Sequence, residues 1–428
     1  MFRRVLIGLF CGWAVFTCAW LPAKAATFQP EVVSKNPADF TPNVVNTGVG
    51  PKPRVDSIDQ LGTTIYAGGI FSQVSDSTQT LTYNRDNLMA FDSTTGEMRS
   101  FAPVFDGPVA AVLAVPGAVY VGGTFSTVNG TSSPALVKLD PDTGAIDPTF
   151  DPGYKGGAVN DLLMTGDRLV VAGSVGKKLN ALDPLTGANT GYLDLGISDV
   201  LPTARGGVAV FRIAVSPAGD RLIATGNFQT VLGESRSKFF MIDLGPTDAT
   251  LNPWYYPSLA TPCATDSPRR VANLQGVDWS PDGSYFVITA TGQIPRPGDR
   301  HITVCDAAAR FNLDDATRPV WINYTGGDSV WTTAVTGSAV YVQGHFSWLD
   351  NPNGFASKCP DTDPCAPRKG VGAIDPASGL ALPWNPRKPA QLGGKDFLVT
   401  PDGLWIGSDS QNIQREHRAG IAFMPLPS

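Results

Sequence analysis

Val119 to Gly130 reads VYVGGTFSTVNG, and Thr64 to Asp76 reads TIYAGGIFSQVSD. Fainter copies are RLIATGNFQTV from Arg221 and AVYVQGHFSWLD from Ala339. Aligning on Tyr120 gives Tyr66, Tyr120, Val170, Ile223, Val287, Tyr341 and Trp405, at gaps of 54, 50, 53, 64, 54 and 64 residues, with Val287 placed to within about two residues. Self-similarity at such a period marks a repeat architecture in which each unit buries its faces against its neighbours.

Around the phrase, each copy has the same parts. An apolar run such as VAAVLAV (Val109–Val115) precedes it, ALVKLD (Ala135–Asp140) follows, and a closing segment carries an aromatic, as in IDPTFDP (Ile146–Pro152). Short apolar and β-branched runs between Gly, Pro, Asn and Asp clusters are strands. Two turns recur. DSTTG (Asp92–Gly96), DPDTG (Asp140–Gly144), DPLTG (Asp183–Gly187) and DPASG (Asp375–Gly379) form one class, and SPAGD from Ser216, SPDGS from Ser280 and TPDGL from Thr400 the other. In the first class Asp accepts from the backbone two residues on and Gly takes the positive φ that closes the hairpin. The pairs Gly68-Gly69 and Gly122-Gly123 fall inside a strand, where Gly weakens the structure and marks a bulge or a close backbone approach.

Wedge-shaped sheets around an axis need one small position and one aromatic plug per wedge. The expected fold is therefore all-β, a seven-bladed β-propeller of four-stranded blades. The last copy ends in RAGIAFMPLPS, with a third strand but no fourth, while PADFTPNVV (Pro37–Val45) resembles the closing segments RSFAPVF and IDPTFDP. Residues Asp39–Val45 are expected to supply the missing outer strand, pairing the two ends of the chain.

The phrase and its copies resemble the delta-60 type repeats of secreted bacterial β-propellers, Y-V-G-G-x-F-x-x-V-N-G. The resemblance is specific over the first, second, fourth and sixth copies, and only Asn129-Gly130 keeps the final Asn-Gly in full. It implies architecture and no agreed activity. The D-x-x-T-G turns are also similar to those of quinone-cofactor propellers, but hairpin geometry alone explains them and this chain lacks the adjacent cysteines.

Residues 1–25 read as a signal peptide: MFRR, a charge-free run from Val5 to Leu21, and the small-residue exit Ala23-Lys24-Ala25. Residues 26–428 are expected to form a single propeller domain that is secreted, extracellular or cell-surface, with no membrane span after signal cleavage, and a monomer. Cleavage removes Arg3, Arg4 and Lys24 and no acid, taking the formal charge from −6 to about −9. That balance and the lack of basic clusters argue against nucleic acid and acidic lipid as partners. Four cysteines remain, an even count that suggests two disulfides with three possible connectivities. On the strand assignment Cys263 and Cys305 lie on one face in adjacent blades, and Cys359 and Cys365 are close enough for a local bond.

Function in such a fold belongs to insertions on one face. Three stand out: Leu251–Arg270, Gln293–Cys305 and His345–Lys369. Tyr255, Tyr256 and Trp348 can stack on sugar rings or dock a protein, whereas Trp254 matches the closing aromatics Phe150 and Trp384. His345 shares the register of Ile70, Thr124 and Asn227, and His301 lies in the second insertion. Asp350, Asn351, Asn353, Asp361 and Asp363 are hard oxygen donors for Ca²⁺, although their spacing matches no recognised calcium loop; no other cofactor is expected. Along the innermost strands one register holds Ser57, Ala111, Asp161, Arg212, Gly276, Thr332 and Asp396. Asp161, Arg212 and Asp396 can orient a polar ligand or hydrate the channel wall. The common catalytic signatures are absent. The expected function is a binding or adhesion module for a glycan or extracellular protein on the insertion-bearing face. The alternative is a hydrolase or lyase at the mouth of the central channel, using some of Asp161, Arg212, His301, His345 and Asp396.

Overall fold

A computed structural model of the chain describes residues 27–202, 204, 206–263, 272–292, 300, 302–355, 358–389 and 393–427. The signal-peptide reading of residues 1–25 and His301 lie outside them. Among the described residues the chain is nearly all-β. Seven antiparallel sheets of like strand order run from Arg54–Leu61, Thr64–Ile70 and Leu88–Asp92 to Asp396–Thr400, Gly403–Gly407 and Ile421–Pro425. One 3-10 turn, Pro257–Ala260, interrupts them, and no helix among the described residues is long and apolar enough to cross a membrane. The aligned positions Tyr66, Tyr120, Val170, Ile223, Val287, Tyr341 and Trp405 stand opposite Asp59, Leu113, Leu163, Ala214, Asp278, Ala334 and Leu398 of the innermost strands. The repeat register, Val287 included, is the pairing register.

The glycines of the phrase serve two contacts. The first innermost strand has a register shift between Val55 and Ser57, and equivalent shifts occur at Val109/Ala111, Val159/Asp161, Val210/Arg212, Leu274/Gly276 and Val330/Thr332. Beside five of these bulges sit Gly69, Gly123, Gly173, Gly226 and Gly344. A Cβ at any of them would overlap a carbonyl oxygen, that of Arg54, Pro108, Ala158, Ala209 or Ser329 respectively. The chain is pinned at the same point from the other side: Gly123 N donates to Ala135 O at 3.0 Å, and Ala135 N donates to Phe125 O at 3.1 Å. Ala135 takes φ +69°, and Asn87, Lys178, Lys238 and Gly370 take the same left-handed conformation at equivalent places. The preceding glycines, Gly68 and Gly122, leave room for the Val109 and Val159 side chains of the next sheet.

Successive residues of a strand go to different cores, as the two-residue period requires. Val119 and Val121 pack against the first sheet, whereas Ala118 and Tyr120 pack against the third. Seven buried clusters result, each joining two neighbouring sheets, and one of them joins the last sheet to the first through Trp405, Phe423, Val55 and Phe91. The innermost strands pack in chain order, and Asp396–Thr400 packs against Arg54–Leu61. Tyrosines fasten sheet to sheet: Tyr66 donates to Pro141 O at 2.8 Å and Tyr120 to Pro184 O at 2.5 Å, both carbonyls within D-P-x-T-G turns of the following sheet. Their rings meet Phe101 and Phe150 edge-on, at 5.2 and 5.5 Å, each pair adding about 0.5–1.5 kcal/mol to its buried area.

The outer edge differs from expectation. Only the fourth and fifth sheets have a laddered fourth strand, Ala249–Leu251 and Trp321–Tyr324. In the first, second, third and sixth sheets a single bridge stands in its place, as at Leu139–Ile146. The closing segments are rich in proline, which removes the N–H a ladder needs, as Pro148 does two residues after Ile146. The N-terminal segment also departs from a plain outer strand. Its ladder, Asn43–Val44, pairs with Gln73–Ser75 of the first unit, while Ser34, Ala38 and Val44 each donate a backbone N–H to the last unit, at Pro425, Phe423 and Ala419. Both cysteine pairings are present, Cys263–Cys305 and Cys359–Cys365.

Gly123→Ala is expected to cost about 3 kcal/mol, since no side-chain shift relieves overlap with a backbone carbonyl. Gly117→Ala, at φ +82° in open space, should cost only about 1 kcal/mol. Urea denaturation of both variants checks this, and equal losses would refute the steric reading.

Candidate functional site

Six of the seven register residues, Ser57, Asp161, Arg212, Gly276, Thr332 and Asp396, line one cavity of about 490 Å³. Its wall comes from the innermost strands of all seven sheets, with Thr27 also lining it. An innermost strand has one edge without a ladder partner, and an unpaired buried N–H is costly. Side chains of the preceding sheet meet that need. Asp59 accepts from Ala114 N at 2.8 Å, Asp161 from Ile213 N at 2.9 Å, Asp278 from Val335 N at 2.7 Å and Asp396 from Ile58 N at 2.7 Å. Ser57 Oγ accepts from Val112 N at 3.0 Å. The second Asp161 oxygen accepts from Leu162 N at 2.9 Å.

Arg212 crosses this space. Its guanidinium donates to Asn160 O at 3.1 Å and to Lys395 O at 3.0 Å, and lies 4.0 Å from Asp161. Lys395 rests 5.3 Å from the Trp331 ring centre; burial lowers its pKa and the nearby Asp56 carboxylate opposes that. Asp56 accepts from Arg54 Nε through both oxygens, at 2.8 and 2.9 Å. Asp161, Arg212, Asp396, Lys395, Asp56 and Arg54 thus lie near enough to act on one another electrostatically. Burial pushes Asp396 up to about 7, against the pull of Arg212, and Asp278 up to about 7 against two backbone N–H bonds; it raises Asp161 too.

The sequence reading missed Asp59, Asp278, Lys395, Trp331 and the Arg54–Asp56 pair. Asp59 and Asp278 could have been found by stepping two residues along the same strands. Trp331 and Asp56 are the extra residues of bulges, whose position no sequence period marks.

The insertion residues separate. Tyr255 is half-buried, its hydroxyl accepts from Ser237 N at 3.0 Å, and the Arg236 guanidinium lies 5.3 Å from its ring centre. Tyr256 is 2% exposed: its ring packs on Phe311 and its hydroxyl donates to Ile302 O at 2.6 Å. It is a core residue beside the Cys263–Cys305 pair, so its ring face is taken up by packing. Trp254 is buried against Phe239, Phe286 and Phe311, as the closing-aromatic reading expects. Trp348 is half-buried in a two-residue strand paired with Ala366–Pro367, and His345 is exposed three residues before it. In the same insertion Asp363 accepts from Asn353 N and Nδ2, each at 2.6 Å, and Asp350 accepts from Ala381 N at 3.1 Å.

A family model described as a domain of unknown function (DUF5122) beta-propeller matches residues 117–150, the second copy of the repeat. No curated protein matches the chain. With the antiparallel sheets, the match identifies a β-propeller domain.

A pH dependence follows from the buried carboxyls. Asp278, Asp306 and Asp396 are held near 7, above the ordinary 3.8. Between about 4 and 7 the unfolded chain releases protons that the folded chain keeps, so stability falls as pH rises, by at most about 1.4 kcal/mol per unit per group. Thr94 and Thr149 hydrogen bonds hold Asp92 and Asp147 at about 2, so their contribution is lost below about 4. Tm is expected to peak near pH 4–5, with the alkaline limb flatter in Asp396→Asn. A Tm still rising from pH 5 to 8 would contradict this.

Proposed function

We propose that the seven sheets are blades of one closed β-propeller spanning residues 26–428, built on delta-60 type repeats. The domain is a secreted, monomeric module that binds a glycan or protein ligand on its insertion-bearing face. Three features support closure: packing of the last innermost strand on the first, the shared cluster around Trp405, and the N-terminal bonds to Phe423 and Ala419. The apolar run at the chain start and the two disulfides support export.

The observation that carries the binding reading is the bracing of the insertions. Cys263–Cys305 ties the exit of the fourth blade to the fifth, and Cys359–Cys365 folds the longest excursion where Asn353 and Asp363 meet. A long loop held in one shape loses less entropy on meeting a ligand. Tyr255, fixed beneath Arg236, and Trp348, fixed by its strand, are the aromatic contacts. Ca²⁺ is a candidate ligand of the same insertion through Asp361 and its neighbours.

The six neighbouring ionisable groups favour the second reading, a hydrolase or lyase at the channel mouth. Against it, Asp161 and Asp396 accept backbone N–H bonds that join blades, and Asp56 is bound to Arg54. A general acid or base must exchange its proton at an atom free to meet substrate.

A glycan array read with and without Ca²⁺ tests the binding reading. Tyr255→Ala and Trp348→Ala are expected to weaken the retained ligand about tenfold each, the loss of one stacking contact of roughly 1.4 kcal/mol. Unchanged binding in both variants would remove this face from consideration.

A further inference from the structure

A second cleft, of about 650 Å³, opens where the exit of the sixth sheet meets the hairpin of the seventh. Lys35, Arg387 and Arg415 line it together with Asn36, Asn385 and Gln414, and one carboxylate, Glu416, which pairs with Arg418 at 3.0 Å. Lys35, Arg387 and Arg415 are exposed, and none forms an ion pair with another described residue. In a chain whose formal charge is −6, three unpaired cations around one cleft are a local reversal of sign.

The backbone carries the argument further. The hairpin turn of the second unit is Asn129-Gly130, at φ +50° and +76°, with Asn129 N donating to Val104 O at 2.8 Å. The fourth unit places Leu232-Gly233 at +49° and +78°, with Leu232 N donating to Leu195 O at 2.8 Å. The seventh unit builds the same turn from Gln414-Arg415, at +50° and +72°, with Gln414 N donating to Pro386 O at 2.7 Å. Where the other two turns have glycine, the seventh has arginine in a conformation that disfavours side chains. Arg387, on the facing segment, is also left-handed, at +50°. Gln414 Oε1 is buried and accepts no hydrogen bond from a described residue.

We propose that this cleft binds an acidic saccharide, with Arg387 and Arg415 gripping a sugar oxyanion. The guanidinium fork matches a carboxylate or sulfate through two parallel hydrogen bonds. Asn36, Asn385, the Gln414 acceptor and Glu416 suit hydroxyl groups, which both donate and accept. Glu416 and the overall negative charge disfavour any densely charged polyanion, so an oxyanion carried on a hydroxyl-rich ring suits the cleft better than a phosphate chain. The cleft has the size of an ordinary small-ligand site, with room for about three pyranose rings. The site is independent of Tyr255 and Trp348.

Calorimetry with oligogalacturonate, a carrageenan oligosaccharide, cellohexaose and single-stranded DNA of equal charge tests it, the first two separating carboxylate from sulfate. The unaltered protein is expected to bind at least one acidic oligosaccharide and neither of the other two. Arg415→Gly should weaken that binding about tenfold while raising Tm by about 1 °C, because glycine suits the turn. Arg387→Ala should weaken it similarly, and Trp348→Ala should leave it unchanged. The proposal is overturned if neither acidic oligosaccharide binds, if Arg415→Gly binds as tightly as the parent, or if DNA binds equally well.

Discussion

Five of the seven sheets share one steric constraint: the innermost strand bulges toward its neighbour, and the neighbour meets it with a glycine because a Cβ there would overlap a backbone carbonyl. At Gly123 the carbonyl of Pro108 occupies the space a side chain would need. The same approach recurs at Gly69, Gly173, Gly226 and Gly344. Beyond that glycine the chain turns out to its hairpin and returns through a left-handed residue, closing the Gly123–Ala135–Phe125 pair of bonds. The aromatic two residues on then fills the wedge between hairpin and sheet, as Phe125 does against Phe105 at 4.8 Å. Gly, Gly and Phe are therefore parts of one local geometry, which is why they repeat together.

The bulge also shapes the cavity. Ionisable residues line the innermost wall, and most of them are held by backbone N–H groups of the adjoining sheet. A carboxylate that caps a strand edge holds two sheets in register, and burial keeps it from ionising as readily as it would in water. Perturbed acidity here follows from an architectural task. In this propeller domain it is no guide to chemistry unless a free atom accompanies it.

Most of the fold was legible in the chain, for a physical reason: strand period, turn chemistry and the glycine pair are local rules. The Asp-x-x-Thr-Gly turns form as read, with Asp140 accepting from Asp142 N, and from Thr143 N as well, and Gly144 at φ +72°. Less legible was whatever tertiary context decides. Leu232-Gly233 and Gln414-Arg415 adopt the Asn-Gly turn without its sequence, because the flanking strands impose it. Tyr256 read as a surface aromatic, yet its neighbour Tyr255 takes the outer position and it is buried beside Cys263. Four of the expected fourth strands shrink to single bridges, and at Leu139–Ile146 Pro148 withholds the next donor. Of the candidate site, Asp161, Arg212 and Asp396 were found by counting, whereas Asp56 and Trp331 were hidden by bulges that shift the count.

The strap of residues from Ser34 to Val44 finds its hydrogen-bonding partners at Ala419, Phe423 and Pro425, near the other end of the polypeptide. This strap can therefore settle only once Ala419 and the residues after it have been synthesised. Contacts that close so long a loop form slowly, so the pairing of this strap is expected to come late in folding.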